Sequence, residues 1–210
     1  TDIISCFALN NPTLSVYKGE LLCRGLGLDV DVFDNNGKSI RNKKGELVCR
    51  SPFPSMPISF WNDKSGEKYH NAYFNKFKDT WAHGDFIEIN DHGGVIIYGR
   101  SDATLNPGGV RIGTSELYRV VESFLEVDDS LVIAQEWEND QRIILFLKLR
   151  EPHIFSEELA GTIKKTIRTS LSPRHVPSII LQTKDIPYTI SGKKVELAVK
   201  KIIEDKEVVN

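Results

Sequence analysis

The chain has 210 residues, 40% of them hydrophobic, which is enough to bury one large core or two small ones. Its 27 basic and 29 acidic residues leave a formal net charge of −2, so no overall basic field recruits nucleic acid or an anionic membrane, and any phosphate site must be local. No apolar run approaches the roughly 20 residues of a membrane span and no secretory leader is visible; Cys6, Cys23 and Cys49, odd in number and without metal-ligand spacing, read as reduced core residues of a cytosolic protein.

The opening "TDIISCFAL" begins at strand strength without leader or cap, as expected of a chain cut from a longer protein. The runs "GELLCRG", "LDVDVFD", "GELVCRS" and "GGVIIYGR" are alternating or β-branched and are broken at Gly19, Asn35-Asn36-Gly37, Lys44-Gly45 and His92-Gly93-Gly94, which predicts a small antiparallel sheet or barrel. The "GEL" repeated at Gly19 and Gly45 predicts two similar hairpin starts. The Pro- and aromatic-rich run from Ser51 to Asp85 reads as loop and short helix lying on the surface.

After Gly99-Arg100-Ser101-Asp102 the pattern changes. Leu117, Val120, Val121, Phe124 and Leu125 have the spacing of an amphipathic helix over 114–125, capped by Thr114 or Ser115. "DSLVIAQ" and "RIILFLKL" predict two buried strands around a polar turn at Glu138 to Gln141. Ser156 caps a helix running through Ile167, with Glu157 and Glu158 at its positive end, and "PSIILQT" is a third strand. A last helix would bury Val195, Leu197, Ala198, Ile202 and Ile203. The expected fold is therefore α+β: a strand-rich part over 1–99, a hinge at 100–102 and a small α+β domain over 103–210.

Four sites carry candidate chemistry. Asp85 in "WAHGD" follows a glycine on a predicted loop and is either a turn aspartate or an acceptor for the two hydroxyls of a ribose. Arg100 and Asp102 in "GRSD" are either an interdomain ion pair or functional groups. "NPGGVRIGTSEL" sets Gly108, Gly109 and Gly113 around Arg111, ahead of a helix; glycines let a ligand approach the backbone and a planar guanidinium suits phosphate. "SGKK" is either a solvated helix start or a turn that carries Lys193 as a cationic arm toward a phosphate, with Lys194 as its solvated neighbour.

The order of these sites, HGD, then GRxD, then GGxRIGTxE, then PYTxSGK, resembles the adenylate-forming acyl-CoA synthetases over the whole chain. Within them, "TDIISCFALNNPT", "FWNDKSGEKYHNAYF", "GRSDATLNPGGVRIGTSELY" and "RHVPSIILQTKDIPYTISGKKVE" are similar to the acetoacetyl-CoA synthetase family. The resemblance implies the β-rich tail of a large adenylate-forming N-terminal domain, followed by a small C-terminal domain that swings about Asp102. It implies Lys193 as the catalytic lysine of adenylation. Asp85 and Arg100 would bind the ribose or phosphate of ATP, Arg111 the nucleotide phosphate in one of two domain poses, and Thr1 the α-phosphate, while Asp2 would help to hold Mg²⁺. Gly109 would lie along the pantetheine path of CoA, and Arg168 would contact the CoA nucleotide, with Lys164 and Lys165 one turn away as rivals.

The reaction so implied joins acetoacetate to CoA at the expense of ATP, through an acyl-adenylate, in lipid metabolism in the cytosol. Its partners are small molecules, with no nucleic acid, membrane or obligate protein partner expected. A synthetase for acetate or propionate, or a non-catalytic domain of the same family, are the alternatives. The Gly/Ser/Thr-rich phosphate loop, the adenine-contacting strand and most of the acyl pocket are not in these 210 residues, so the chain by itself is expected to be inactive.

Overall fold

The computed structural model describes residues 3–208, so Thr1 and Asp2 lie outside the described residues. The chain divides into two compact units, Thr1–Ser101 and Asp102–Asn210.

In the first unit, β1 (Ala8–Leu9) pairs antiparallel with β2 (Cys23–Arg24). A four-stranded antiparallel sheet then runs in the order β3 (Val30–Phe33), β4 (Gly45–Cys49), β5 (Trp81–Ile89), β6 (Val95–Arg100). It is an open sheet of consecutive strands, and the two "GEL" copies differ: Gly45 starts β4, whereas Leu21 makes only an isolated bridge to Val95. The 51–85 run departs most from the sequence reading. Phe53, Tyr73 and Trp81 are buried, and β5 already begins at Trp81. Helix α1 (Glu67–Tyr73) brings Tyr73 flat onto Trp81, ring centroids 3.6 Å apart, while Phe53 meets the same indole edge-on at 5.4 Å. An indole buries more apolar area than any other side chain, so it draws the surrounding aromatic loop inward. Cys49 is in this core, but Cys6 is exposed and Cys23 half-buried, so only one of the three thiols is a core residue.

The second unit is built on the hairpin of β7 (Val127–Trp137) and β8 (Asp140–Leu149), with β9 (Ile179–Gln182) added parallel to β8. Its two turn residues, Glu138 and Asn139, have φ of 49° and 64°, the left-handed pair that matches the twist of the strands. The alternation along β7 and β8 serves two faces. Val132, Ala134, Ile143, Leu145 and Leu147 join Leu117 and Val121 of α2 (Thr114–Val121) and Ala160, Ile163 and Ile167 of α3 (Glu157–Ser170). Leu131, Ile133 and Ile144 face the other way, toward Ile186 and Val199 of α4 (Glu196–Ile203). A sheet covered on both sides needs apolar residues at every position, which is why these strands read as continuous runs.

Ser156 caps α3 as expected, its Oγ accepting from Leu159 N at 3.1 Å. Two helices depart from expectation. The N-cap of α2 is Gly113, whose N–H donates to Glu116 Oε1 at 2.9 Å, and the helix stops at Val121, leaving Leu125 exposed. Helix α4 half-buries Ala198 and Val199, with Val195 half-buried at its N-cap, while Leu197, Ile202 and Ile203 are exposed; Leu197 lies on the side opposite Val199, and Ile202 and Ile203 belong to the last turn.

Leu145 is fully buried between α2, α3 and the sheet. Leu145→Ala should lower the stability of the second unit by about 2–5 kcal/mol, read as a shift of its denaturant midpoint at unchanged slope.

Candidate functional site

The ribose candidate is on a strand, not on a loop. Asp85 lies inside β5 directly opposite Arg100 of β6, and the two pair, Arg100 Nη1 to Asp85 Oδ1 at 3.3 Å. Arg100 Nη1 also donates to His83 O at 3.1 Å, and His83 Nε2 stands 3.7 Å from Asp85 Oδ2. The glycine of "HGD" has a specific reason. Gly84 has φ +80°, and a Cβ there would lie 2.5 Å from Arg100 Nη2, so only glycine lets the guanidinium lie across the backbone. The result is a part-exposed carboxylate, 25% accessible, beside a 46% accessible guanidinium: an acceptor and a donor side by side.

Glu46 fixes this corner. Its side chain is 2% exposed, Oε1 accepts from Gly84 N at 2.8 Å and Ser101 Oγ at 3.0 Å, and Lys76 pairs with Oε2. Sequence reading passed over Glu46, although a carboxylate within the run "GELVC", all of it buried, marks a partnered charge. Asp102, next along the chain, is exposed.

In the second unit the glycine loop 105–112 is closed at its base by the buried Leu105 and Ile112, which exchange backbone bonds of 2.9 and 2.8 Å. Gly108 is exposed, but its backbone polar groups are already taken. Its N–H donates to Asp140 Oδ1 at 2.9 Å, and Arg174 Nη1 donates to its carbonyl at 3.0 Å; a Cβ on Gly108, at φ +56°, would lie 2.1 Å from that nitrogen. Gln141 Oε1 accepts from Asn106 N at 2.8 Å, so the β7–β8 turn grips the loop twice. Gly109 is exposed with nothing within 4 Å of an added Cβ. Arg111 is half-buried, its Nε donating to Thr104 Oγ1 at 3.3 Å. Arg168 is exposed on the last turn of α3, and Lys164 is committed to Ser178 O at 3.2 Å.

The "SGKK" turn is a closed hairpin loop. Thr189 N donates to Lys193 O at 2.8 Å, Gly192 N to Thr189 O at 2.9 Å and Lys193 N to Thr189 Oγ1 at 3.0 Å, and Tyr188 bridges Lys194. Lys193 is exposed, as the arm reading requires. Lys194 is not solvated: its side chain is 15% exposed and its Nζ reaches Asp129 Oδ1 at 2.8 Å, Ser130 O at 2.6 Å and the Glu122 carboxylate. Partners that far back in the sequence leave no local signal.

The two loops sit at opposite ends of one hairpin. Asp140 is paired with Trp137 beside the turn, and Asp129 is paired with Lys148 near the other end, a separation along the strands of roughly 25 Å at the usual rise per residue. Among the described residues no cluster of three or more His, Cys, Asp or Glu is placed to hold a metal ion, and no helix is long and apolar enough to cross a membrane.

No protein-family model matches the chain. It is 55% identical over 210 residues to an acetoacetyl-CoA synthetase of Gallus gallus, covering 99% of this chain and 32% of the relative. It is 54% identical to an acetoacetyl-coenzyme A synthetase of Rhizobium meliloti (strain 1021), covering 100% of this chain and 32% of that protein. The solved acetoacetyl-CoA synthetase from Streptomyces lividans superimposes with a TM-score of 0.92 at 43% identity, over 97% of this chain and 31% of the other. The anthranilate CoA ligase AuaEII, solved in complex with anthranoyl-AMP, shares the fold with a TM-score of 0.79 at 22% identity, over 93% of this chain and 37% of that one. The chain is thus homologous throughout to acetoacetyl-CoA synthetases and spans about a third of their length.

Hydrogen bonds from the backbone of Gln141 and Gly108 hold the Asp140 carboxyl below its ordinary value of 3.8. A lowered folded pKa stabilises above the unfolded value and is lost as pH falls through the folded one. Protection of the Gly108 amide from hydrogen exchange should therefore be flat from neutral pH to about 4 and fall below that, whereas Asp140→Ala should cost it about tenfold near neutral pH and progressively less as the wild type loses the charged acceptor in acid.

Proposed function

We propose that this chain, homologous throughout to acetoacetyl-CoA synthetases, serves in a ligase that joins acetoacetate to CoA through an acyl-adenylate. The observation that carries the substrate class is the 55% identity along the whole chain to proteins of that name. In this reading Asp85 accepts the ribose hydroxyls of ATP while Arg100, across the ladder, supports the ribose or phosphate. The carboxylate of the acid attacks the α-phosphorus, the bond to pyrophosphate breaks, and the acyl-adenylate forms. The Lys193 ammonium meets the negative charge that builds up on the oxygens of that phosphorus, which is where a preorganised cation stabilises most.

The thiol of CoA then attacks the acyl carbon and AMP leaves. Gly109, open on its exposed face, borders the path of the pantetheine arm, Arg111 contacts the nucleotide phosphate in one pose and Arg168 the CoA nucleotide. The spacing of the two loops along one hairpin supports a two-pose mechanism: a body that presents groups roughly 25 Å apart to one reaction centre has to turn between steps, and the proposed pivot is 100–102, at Asp102. Thr1 and Asp2 are assigned to the α-phosphate and to Mg²⁺, the cation that screens ATP phosphates; both lie outside the described residues and no step rests on them. The work belongs to acyl activation for lipid metabolism in the cytosol.

Lys193→Ala in the full-length enzyme should slow adenylation, followed by ATP–pyrophosphate exchange, by about 10²- to 10³-fold. Thioester formation from supplied acetoacetyl-adenylate should stay within about tenfold of wild type, because that pose carries Lys193 away. An equal loss in both half-reactions would sink the assignment.

A further inference from the structure

Lys193 and Lys194 are neighbours with opposite surroundings. The Lys194 ammonium has three N–H donors, and three acceptors meet them: Asp129 Oδ1, Ser130 O and the Glu122 carboxylate. The face of Tyr118 lies 4.0 Å from it, adding a cation–π contact. Across the hairpin bridge, Tyr188 donates to the other oxygen of the same carboxylate, Asp129 Oδ2, at 2.7 Å. Burial alone would raise Asp129, yet hydrogen bonds from Lys194 and Tyr188 hold it below the usual carboxylate range, so it is charged where it matters. The tie continues past the loop: Tyr118 donates to Glu196 Oε1 at 3.0 Å and accepts from Val132 N at 3.2 Å, which fixes the first turn of α4 to α2 and β7.

Both strands of the loop's base are thus fastened through their side chains, and the turn between them is closed by its own backbone bonds. All of 187–193 is exposed, and Lys193 is the one charged side chain in that stretch. We propose that Lys194 is a positioning residue for adenylation: its ammonium, gripped by Asp129, Glu122 and Ser130 O, fixes the base of the 189–193 turn so that Lys193 is presented to the nucleotide in one geometry. The inference rests on the proposed role of Lys193 and assigns to Lys194 no contact with substrate. Positioning of this kind matters because a displacement on the order of 1 Å at a reacting group costs about 10²-fold in rate. The composition of the clamp also explains why two lysines follow the glycine: one is spent on the protein and the other on the ligand.

The test uses the full-length enzyme, assayed for ATP–pyrophosphate exchange and for thioester formation from supplied acyl-adenylate. Lys194→Met keeps an unbranched side chain of similar length and removes the charge; it should lower the exchange rate by about 10- to 100-fold, with KM for ATP and the thioester step each within about threefold. Tyr188→Phe removes one hydrogen bond and no charge, and should slow exchange alone by about three- to tenfold. The deciding measurement is the cycle with Lys193→Ala: since Lys194 acts through Lys193, adding Lys194→Met or Tyr188→Phe to Lys193→Ala should cost less than about threefold more. Losses that multiply in the double variants, an equal slowing of both half-reactions, or unchanged exchange in the single variants would overturn the proposal. Should Lys194→Met not fold, Tyr188→Phe alone and in the cycle decides it. If Lys193→Ala itself leaves exchange at the wild-type rate, the role given to Lys193 fails first and this inference with it; if that variant is defective while Lys194→Met and Tyr188→Phe are not, only the inference fails.

Discussion

A carboxylate taken out of water has to have its oxygens filled, and this chain meets that requirement by spending carboxylates on its loops. Glu46 is the clearest case. At 2% exposure its oxygens are occupied by Gly84 N, Ser101 Oγ and Lys76 Nζ, so the strand that carries it holds in register the β5 backbone beside Asp85 and the residue after Arg100. Remove that acceptor and a backbone N–H, a hydroxyl and an ammonium lose their partner together. The geometry of the Asp85–Arg100 pair therefore depends on a carboxylate bonded to the chain neighbours of both residues, Gly84 and Ser101.

The second unit repeats the device at both ends of one hairpin. Asp140, just past a two-residue turn, takes the Gly108 amide, and Asp129, near the start of β7, takes Lys194 and Tyr188. The hairpin itself is made stiff by apolar contacts on both faces, α2 and α3 on one and α4 on the other. A body of that kind transmits the position of its core to two distant loops, because packed side chains do not deform continuously. It suits an element that has to deliver different groups to one place in turn.

Fastening is selective within each loop. Gly108 has its backbone N–H and carbonyl bonded while an added Cβ on Gly109 beside it would meet nothing, and Lys194 is saturated while Lys193 beside it is exposed. In both pairs the inner residue takes the contacts that order the loop, and the outer residue keeps its space or its charge. Ordering a loop in advance removes an entropy cost that substrate binding would otherwise have to offset.

The sequence by itself determined the strands of the second unit, α3 with its Ser156 cap and the positions of the four site motifs, because periodicity, caps and glycine punctuation are local properties of the chain. It also placed the change of pattern at 100–102. It did not determine that Trp81 would gather Phe53 and Tyr73 and turn "WAHGD" into a strand, since that rests on aromatic contacts between residues distant in the chain. Nor did it decide how far the apolar stripe of α4 is covered: Ile202 and Ile203 continue the stripe of Val195 and Val199 and are nevertheless exposed, and only the extent of the contact with β7 separates them. The fate of the second lysine was decided at the same level. Two adjacent ammonium groups are alike in sequence; the fold brings Glu122, Asp129 and Ser130 to one of them, and a charge leaves water only where such acceptors meet it.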